Sequence, residues 1–273
     1  MLTWGEWKKK KVSAGLTKRR RFVLVAGMLT LGMLIVQRLR VEARYEAIAV
    51  LGVMSYALSA WSLFSELRGV AGWLVNLILP TIYPISVALF YFLLPQAWGT
   101  QVAVMILFAI SMYGLLLSAN IFAVASFRTI QLLRAARAVG FLLSIISSAL
   151  LFHVIFSLHL AGSWTALLVT LTSLLLLWQG SWSHVATTSV RGEFYYALVG
   201  AVLIGEMALA LTFWLIDVPL ASVMLSMGVY VVLGLFQHDL EKRLFSRTVQ
   251  EYLGFAGIVF VVVSLAVILR WMG

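Results

Sequence analysis

Nine long apolar stretches constrain this sequence more than any other feature. They lie at residues 22–37, 47–64, 70–94, 101–126, 139–160, 163–180, 194–216, 219–236 and 252–269. A helix needs roughly 20 apolar residues to cross the hydrocarbon of a bilayer. Because lipid gives backbone groups no water partners, such segments form helices. The runs are continuously apolar rather than alternating, which argues against a β-barrel. The sequence therefore predicts an all-α, polytopic integral membrane helix bundle of about nine transmembrane helices.

The composition agrees with a chain that is solvated by lipid. Hydrophobic residues make up 63% of the 273 residues and charged residues 11%, whereas soluble domains have about 45–50% and about 25%. The net charge of +10 could indicate nucleic acid, but the basic residues cluster in short stretches between apolar runs, as membrane topology requires. We therefore expect no nucleic-acid partner. The absence of cysteine excludes disulfides, thiolate metal sites and a cysteine nucleophile.

The first apolar run is the shortest, so eight full spans with a partial insertion is the alternative count. Together with the preceding basic residues it could be a secretory signal peptide. However, Arg38 and Arg40 fall between the apolar run and the only plausible cleavage site, where cleavable signals avoid charge. We interpret the run as an uncleaved first span.

The distribution of lysine and arginine predicts the orientation, because cytoplasmic loops carry an excess of both. Eight of these residues precede the first span, between Lys8 and Arg21. With that tail in the cytoplasm, eight more fall on the same side: Arg68, Arg128, Arg134, Arg137, Arg191, Lys242, Arg243 and Arg247. Four remain outside, three of them in the stretch "RLRVEARYE" after the first span, which is the exception to the rule. The prediction is a cytoplasmic N-terminus and an external C-terminus.

The domain organisation follows from this threading. Residues 1–21 form a basic cytoplasmic N-terminal tail, and residues 22–273 form a single transmembrane helical domain with a charged cytoplasmic loop at 237–251. We expect the basic cytoplasmic segments to contact anionic lipids of the bilayer. The alternative is that they dock a membrane-protein partner.

Three stretches carry a family resemblance: "RTIQLLRAARAVGFLL", "GEMALALTFW" and "LFQHDLEKRLFSRTVQEYLG". In these stretches the chain resembles an uncharacterised polytopic membrane-protein family of candidate-phylum bacteria, and the resemblance covers most of the chain. It implies no activity. It does imply a multi-pass protein of a bacterial cytoplasmic (inner) membrane.

Glu206 is the most unusual residue, since it is the only acid in the middle of a span; the other nine acids lie in tails, loops or span ends. A charge at the bilayer centre costs at least about 2.5–3.5 kcal/mol. No lysine or arginine lies deep enough to neutralise it, so burial favours the protonated form.

His153 is the expected partner of Glu206. Counted along two spans that run in the same direction, both residues lie at nearly the same depth. A Glu–His pair in a low dielectric could share a proton, as intramembrane acids and histidines do in proton relays. The alternative is structural, with a protonated Glu206 making one interhelical hydrogen bond and a neutral His153 bonded to a backbone carbonyl or a serine.

Two asparagines and two prolines complete the polar features of the spans. Asn76 and Asn120 lie at matching depths on consecutive antiparallel spans, so their amides could join the helices or line a polar cavity. Pro80 and Pro84 lie four residues apart in mid-span, and each removes a backbone hydrogen bond. They predict a kinked helix or, alternatively, a broken helix that lines a binding site.

No catalytic motif is present, neither H-E-x-x-H, nor a P-loop, nor G-x-S-x-G. The four histidines are scattered and do not indicate a metal or haem site, and the sequence predicts no cofactor. The function favoured is transport of a small solute or a proton-linked permease centred on Glu206. The alternative is a non-catalytic membrane scaffold or subunit of a membrane complex. A membrane enzyme with an unrecognised site is the least supported.

Overall fold

The fold is taken from a computed structural model of the chain. It describes residues 18–65, 67, 73–95, 97–125, 132–185, 190–214, 216–240, 242 and 244–272. The basic tail predicted at 1–21 lies outside the described residues except for Lys18–Arg21, which open the first helix.

The described part of the chain has nine segments that are long and apolar enough to cross a membrane, and the third of them is Trp73–Tyr91. Nine main helices form these segments. They are α1 (Lys18–Arg38), α2 (Arg44–Leu63), α3 (Ile78–Tyr91), α4 (Trp98–Ala125), α5 (Leu133–Ser157), α6 (Gly162–Val185), α7 (Val190–Phe213), α8 (Val218–Leu240) and α9 (Ser246–Met272). The prediction of an all-α bundle with nine spans is therefore confirmed. The first span has 21 residues and a mean hydropathy of 1.5, so it is long enough to cross the bilayer fully.

Consecutive helices run antiparallel, which places every second connection at the same end. The Asn76 side chain, just before α3, donates to the carbonyl of Ala119 near the end of α4. Asp217, just before α8, forms an ion pair with Arg270 near the end of α9. We call the end that holds Lys18, Arg134 and Lys242 the basic end.

Two adjoining cores hold the bundle together. The first lies among α1, α2, α3 and α4 and includes Leu29, Met33 and Met112. The second lies among α6, α7 and α8 and includes Ala201 and Leu225. The α5 helix lies between them, since its Leu143 belongs to the first core and its Phe152 to the second.

The α6 and α7 helices form a closely packed pair because small residues face the contact. Ala197, Ala201 and Gly205 are spaced by four along α7, and all three are buried. A Cβ atom added at Gly205 would overlap the Thr170 hydroxyl of α6. Spacing by four places residues on one helix face, and small residues there let two backbones approach closely. This contact fixes which face of α7 turns inward.

The α9 helix lies at the periphery of the bundle. Only 11% of its most apolar segment is buried, against 33–56% in the other spans. Tyr252 holds it to α8 through Gly234, where an added Cβ would meet the tyrosine ring, and through Tyr230, whose ring centroid is 5.0 Å away. The Asp217–Arg270 ion pair holds its other end.

Two segments differ in detail from their expected bounds. The third span, expected over 70–94, contains α3 only from Ile78, preceded by a helical turn at 73–75 and a turn at Asn76 and Leu77. The charged segment at 237–251 is helical at both ends, because α8 extends to Leu240 and α9 begins at Ser246.

Candidate functional site

Glu206 lies on the outer face of α7. Its side chain is exposed, whereas Ile204, Gly205 and Ala208 are buried against neighbouring helices. Each residue turns a helix by about 100°, so the inward position of Gly205 directs its neighbour Glu206 outward. The depth expected for Glu206 agrees with the helix bounds, but the direction of its side chain is away from the bundle interior.

His153 lies on α5 and turns toward α3. Its ring packs edge-on against Phe90, with 5.1 Å between the ring centroids, and its carbonyl accepts a hydrogen bond from Ser157. Among the described residues, no hydrogen bond or ion pair joins His153 to Glu206. The structure does not bring these two side chains together, because Glu206 faces outward and His153 faces α3.

The Asn76 side chain bonds to Ala119, the residue before Asn120, rather than to Asn120 itself. The Asn76 amide nitrogen donates to the Ala119 carbonyl at 3.0 Å. Within the described part of the chain, the amide oxygens of Asn76 and Asn120 have no hydrogen-bond partner. The contact joins the start of the third span to the end of the fourth, although the two amides do not bond to each other.

Pro80 and Pro84 lie in α3, and a side chain of α2 replaces the backbone hydrogen bond that Pro84 cannot make. Pro84 has no N–H to donate to the carbonyl four residues earlier, which belongs to Pro80. The Ser55 hydroxyl of α2 donates to that carbonyl instead, at 2.7 Å, and the bond is buried. Because both prolines are buried and the freed carbonyl is bonded, this part of α3 is a packed helix segment.

Glu193 is an acid that lies inside the bundle, and sequence reasoning placed it only at a span end. It lies in the first turn of α7, with 4% of its surface exposed, and its Oε2 atom has no hydrogen-bond partner among the described residues. The signal that could have revealed it is its spacing, since Glu193 precedes Ala197 and Ala201 by four and eight residues and so shares their inward face.

Ser181 of α6 lies at about the same level as Glu193. The Trp178 and Phe194 rings are 5.2 Å apart, which sets the register of α6 against α7 at this end. Ser181 is fully buried, and its hydroxyl also lacks a hydrogen-bond partner in the residues that the structure describes. Buried polar atoms without partners cluster at the basic end of the α6–α7 pair.

Two apolar grooves lie on the surface of the described part of the chain. One has a volume of about 250 Å³ and lies among α7, α8 and α9, with Met207, Gly228 and Phe260 in its lining. The other has a volume of about 430 Å³ and lies between α1 and α2. Neither groove is lined by Glu206, His153, Asn76 or Asn120. Within the described ranges, no group of three or more histidine, cysteine or acidic side chains could hold a metal ion.

Comparison with known proteins gives a family but no activity. No curated protein and no solved structure matches the chain. The sequence model of a family described as "protein of unknown function (DUF5656)" matches residues 23–266. The match extends from α1 into α9 and so includes all nine helices. An uncharacterised family is what the resemblance of the three stretches implied. This membrane-helix bundle therefore belongs to the DUF5656 family, whose function is unknown.

Proposed function

We propose that this protein is a non-catalytic subunit of a membrane complex in the bacterial cytoplasmic membrane. It assembles with a second copy of itself through the outer face of α7. One observation carries the proposal: Glu206 is exposed in the middle of a membrane-spanning helix. A polar group facing hydrocarbon without a partner costs several kcal/mol. A neighbouring transmembrane helix that hydrogen-bonds Glu206 removes that cost.

A second copy of the chain suits Glu206 because a protonated carboxylic acid is self-complementary. It has one O–H donor and one carbonyl acceptor, so two such groups related by a twofold axis satisfy each other. A parallel dimer with its axis along the membrane normal places two Glu206 residues at equal depth, and neither chain has to supply a deep lysine or arginine.

The exposed residues around Glu206 follow the spacing of a helix–helix contact. Alternating steps of four and three residues along α7 give an exposed seam that consists of Tyr195, Val199, Val202, Glu206, Leu209 and Phe213. This is the spacing of a two-helix coiled coil, in which one polar residue in an otherwise apolar seam sets the register. The groove at Met207 and Gly228 adjoins this seam and can receive side chains of the partner.

The transport hypothesis required Glu206 to line a water-filled cavity inside the bundle. The exposed position of Glu206 favours the subunit hypothesis over it. The orientation belongs to the same proposal: the basic end faces the cytoplasm. There Lys18–Arg21 and Arg134 meet anionic lipid headgroups, and Arg21 lies 5.8 Å from the centre of the Trp61 ring, at the depth where tryptophan favours the interface.

Disulfide cross-linking in membranes tests the assembly, and the cysteine-free chain suits it. Single variants Val202→Cys and Leu209→Cys on the seam are expected to give covalent dimers on oxidation. Val262→Cys, exposed on α9, is the matched control and is expected to remain monomeric. The proposal of a second copy as partner is contradicted if the seam variants give no cross-links or if Val262→Cys cross-links equally. It is also contradicted if the seam variants cross-link only to a different protein.

A further inference from the structure

The groove between α1 and α2 lies at the end of the bundle opposite the basic end. Its volume of about 430 Å³ falls in the range of roughly 300–1,000 Å³ that is typical of ligand sites. Its lining consists of Gly32, Ile35, Val36, Leu39, Ala43, Glu46, Ala47, Val50, Leu51 and Met54. Glu46 is the one ionisable residue in an otherwise apolar lining.

Glu46 lies in the first turn of α2 and is exposed at the mouth of the groove. Its close neighbour Arg44 is engaged elsewhere: the Arg44 Nε donates to the Leu39 carbonyl at 3.3 Å, and its guanidinium lies 4.5 Å from the centre of the Phe92 ring. Among the described residues, Glu46 forms no ion pair. The groove therefore presents an uncompensated carboxylate at its mouth.

Two arginines lie next to the lining of this groove in sequence. Arg38 and Arg40 flank the lining residue Leu39 in sequence, and both are exposed. They belong to the connection whose positive charge is the exception in the distribution of basic residues along the chain. An apolar groove with a carboxylate at its mouth and two exposed guanidinium groups next to its lining in sequence matches a ligand with a long apolar chain, a cation and an anion.

We propose that this groove binds a phospholipid whose head group carries a primary ammonium. One acyl chain lies against the apolar lining, the ammonium donates hydrogen bonds to Glu46, and the phosphate pairs with Arg38 and Arg40. A primary ammonium has three N–H donors, and the guanidinium fork matches phosphate oxygens. The arginines of this connection then serve lipid recognition rather than topology.

Competitive lipid retention tests the site. The full chain is reconstituted with equal amounts of phosphatidylethanolamine and phosphatidylcholine of the same acyl chains, transferred to detergent, and analysed for bound lipid by native mass spectrometry. A several-fold excess of phosphatidylethanolamine is expected, because the trimethylated ammonium of phosphatidylcholine cannot donate hydrogen bonds. Glu46→Gln should abolish the excess. Glu42→Gln, an exposed acid of the same connection outside the lining, should preserve it.

A second pair of variants separates the groove from general lipid contact. Val50→Trp fills the groove and should reduce retention of both lipids, whereas Val53→Trp, exposed on the same helix but outside the lining, should not. Equal retention of the two lipids by the unmodified chain overturns the proposal. The proposal is also overturned if Glu42→Gln loses the preference for phosphatidylethanolamine to the same extent as Glu46→Gln. Full lipid retention by Val50→Trp overturns it as well.

Discussion

Two acids of α7 illustrate how one helix gives the same side chain opposite surroundings. Glu206 faces outward in mid-span, where only another molecule can satisfy it. Glu193 lies inside with 4% of its surface exposed and an oxygen without a hydrogen-bond partner. Glu206 therefore does not stabilise the single chain. Glu193 destabilises the packing around it, because its unpaired oxygen is buried.

Replacing Glu193 with leucine is expected to stabilise the isolated chain. A buried polar group without a partner costs about 1–3 kcal/mol, and an apolar side chain of similar size removes that cost. We expect the free energy of unfolding in detergent to rise by about 1 kcal/mol. Glu251→Leu is the control, because Glu251 is exposed and pairs with Arg247 at 3.3 Å. A lower stability of Glu193→Leu would show that the carboxyl has a partner.

The bond from Ser55 to Pro80 is expected to depend on Pro84. Ser55→Ala leaves the Pro80 carbonyl unpaired and should lower the unfolding free energy by about 1 kcal/mol. In a Pro84→Ala background the new N–H can bond to that carbonyl, so the same change should cost much less. A double-mutant cycle measures the difference. Ser62→Ala is the control, since Ser62 bonds within its own helix, and equal costs in both backgrounds would contradict the compensation.

Residue counting gives an expected depth for each candidate residue, but it does not give the face on which the residue lies. Counting along an apolar run gives the level of Glu206, His153, Asn76 and Asn120, because each helical residue rises by about 1.5 Å. The face that a residue presents depends on helix rotation, and in lipid most positions are apolar on every side. The small residues Ala197 and Ala201 fix the rotation of α7 by close packing, and this signal is independent of hydropathy.

At the scale of elements, close contacts between small residues determine the α6–α7 pair. Gly205→Ala should destabilise the chain by about 1–3 kcal/mol, because the added Cβ meets Thr170, whose hydroxyl is held by the Ala166 carbonyl at 2.8 Å. Gly254→Ala on α9 is the matched control, since nothing lies within 4 Å of its added Cβ. Alanine is also the better helix former, so this control should be neutral or stabilising in thermal unfolding. Equal effects of the two substitutions would contradict the packing argument.

The exposed seam of α7 makes a prediction about association. Glu206→Leu removes the carboxyl pair and should weaken dimerisation by about 1–2 kcal/mol, which is about a tenfold lower association constant. Glu206→Gln retains a donor and an acceptor and should dimerise nearly as well. Energy transfer between labelled chains in vesicles measures both. The unfolding temperature of the dilute monomer should not fall in either variant, and undiminished association of Glu206→Leu would contradict the role of the seam.

At the scale of the whole molecule, nine spans predict that the two termini lie on opposite sides of the membrane. From the excess of arginine and lysine at the basic end we propose that this end faces the cytoplasm. Single cysteines in the cysteine-free chain can test this with a membrane-impermeant maleimide. Phe245→Cys, exposed at the basic end, should react only in inverted vesicles. Gly99→Cys, exposed at the opposite end, should react in right-side-out spheroplasts. Reaction of both sites in the same preparation would contradict the antiparallel threading, and the reverse pattern would contradict the orientation alone.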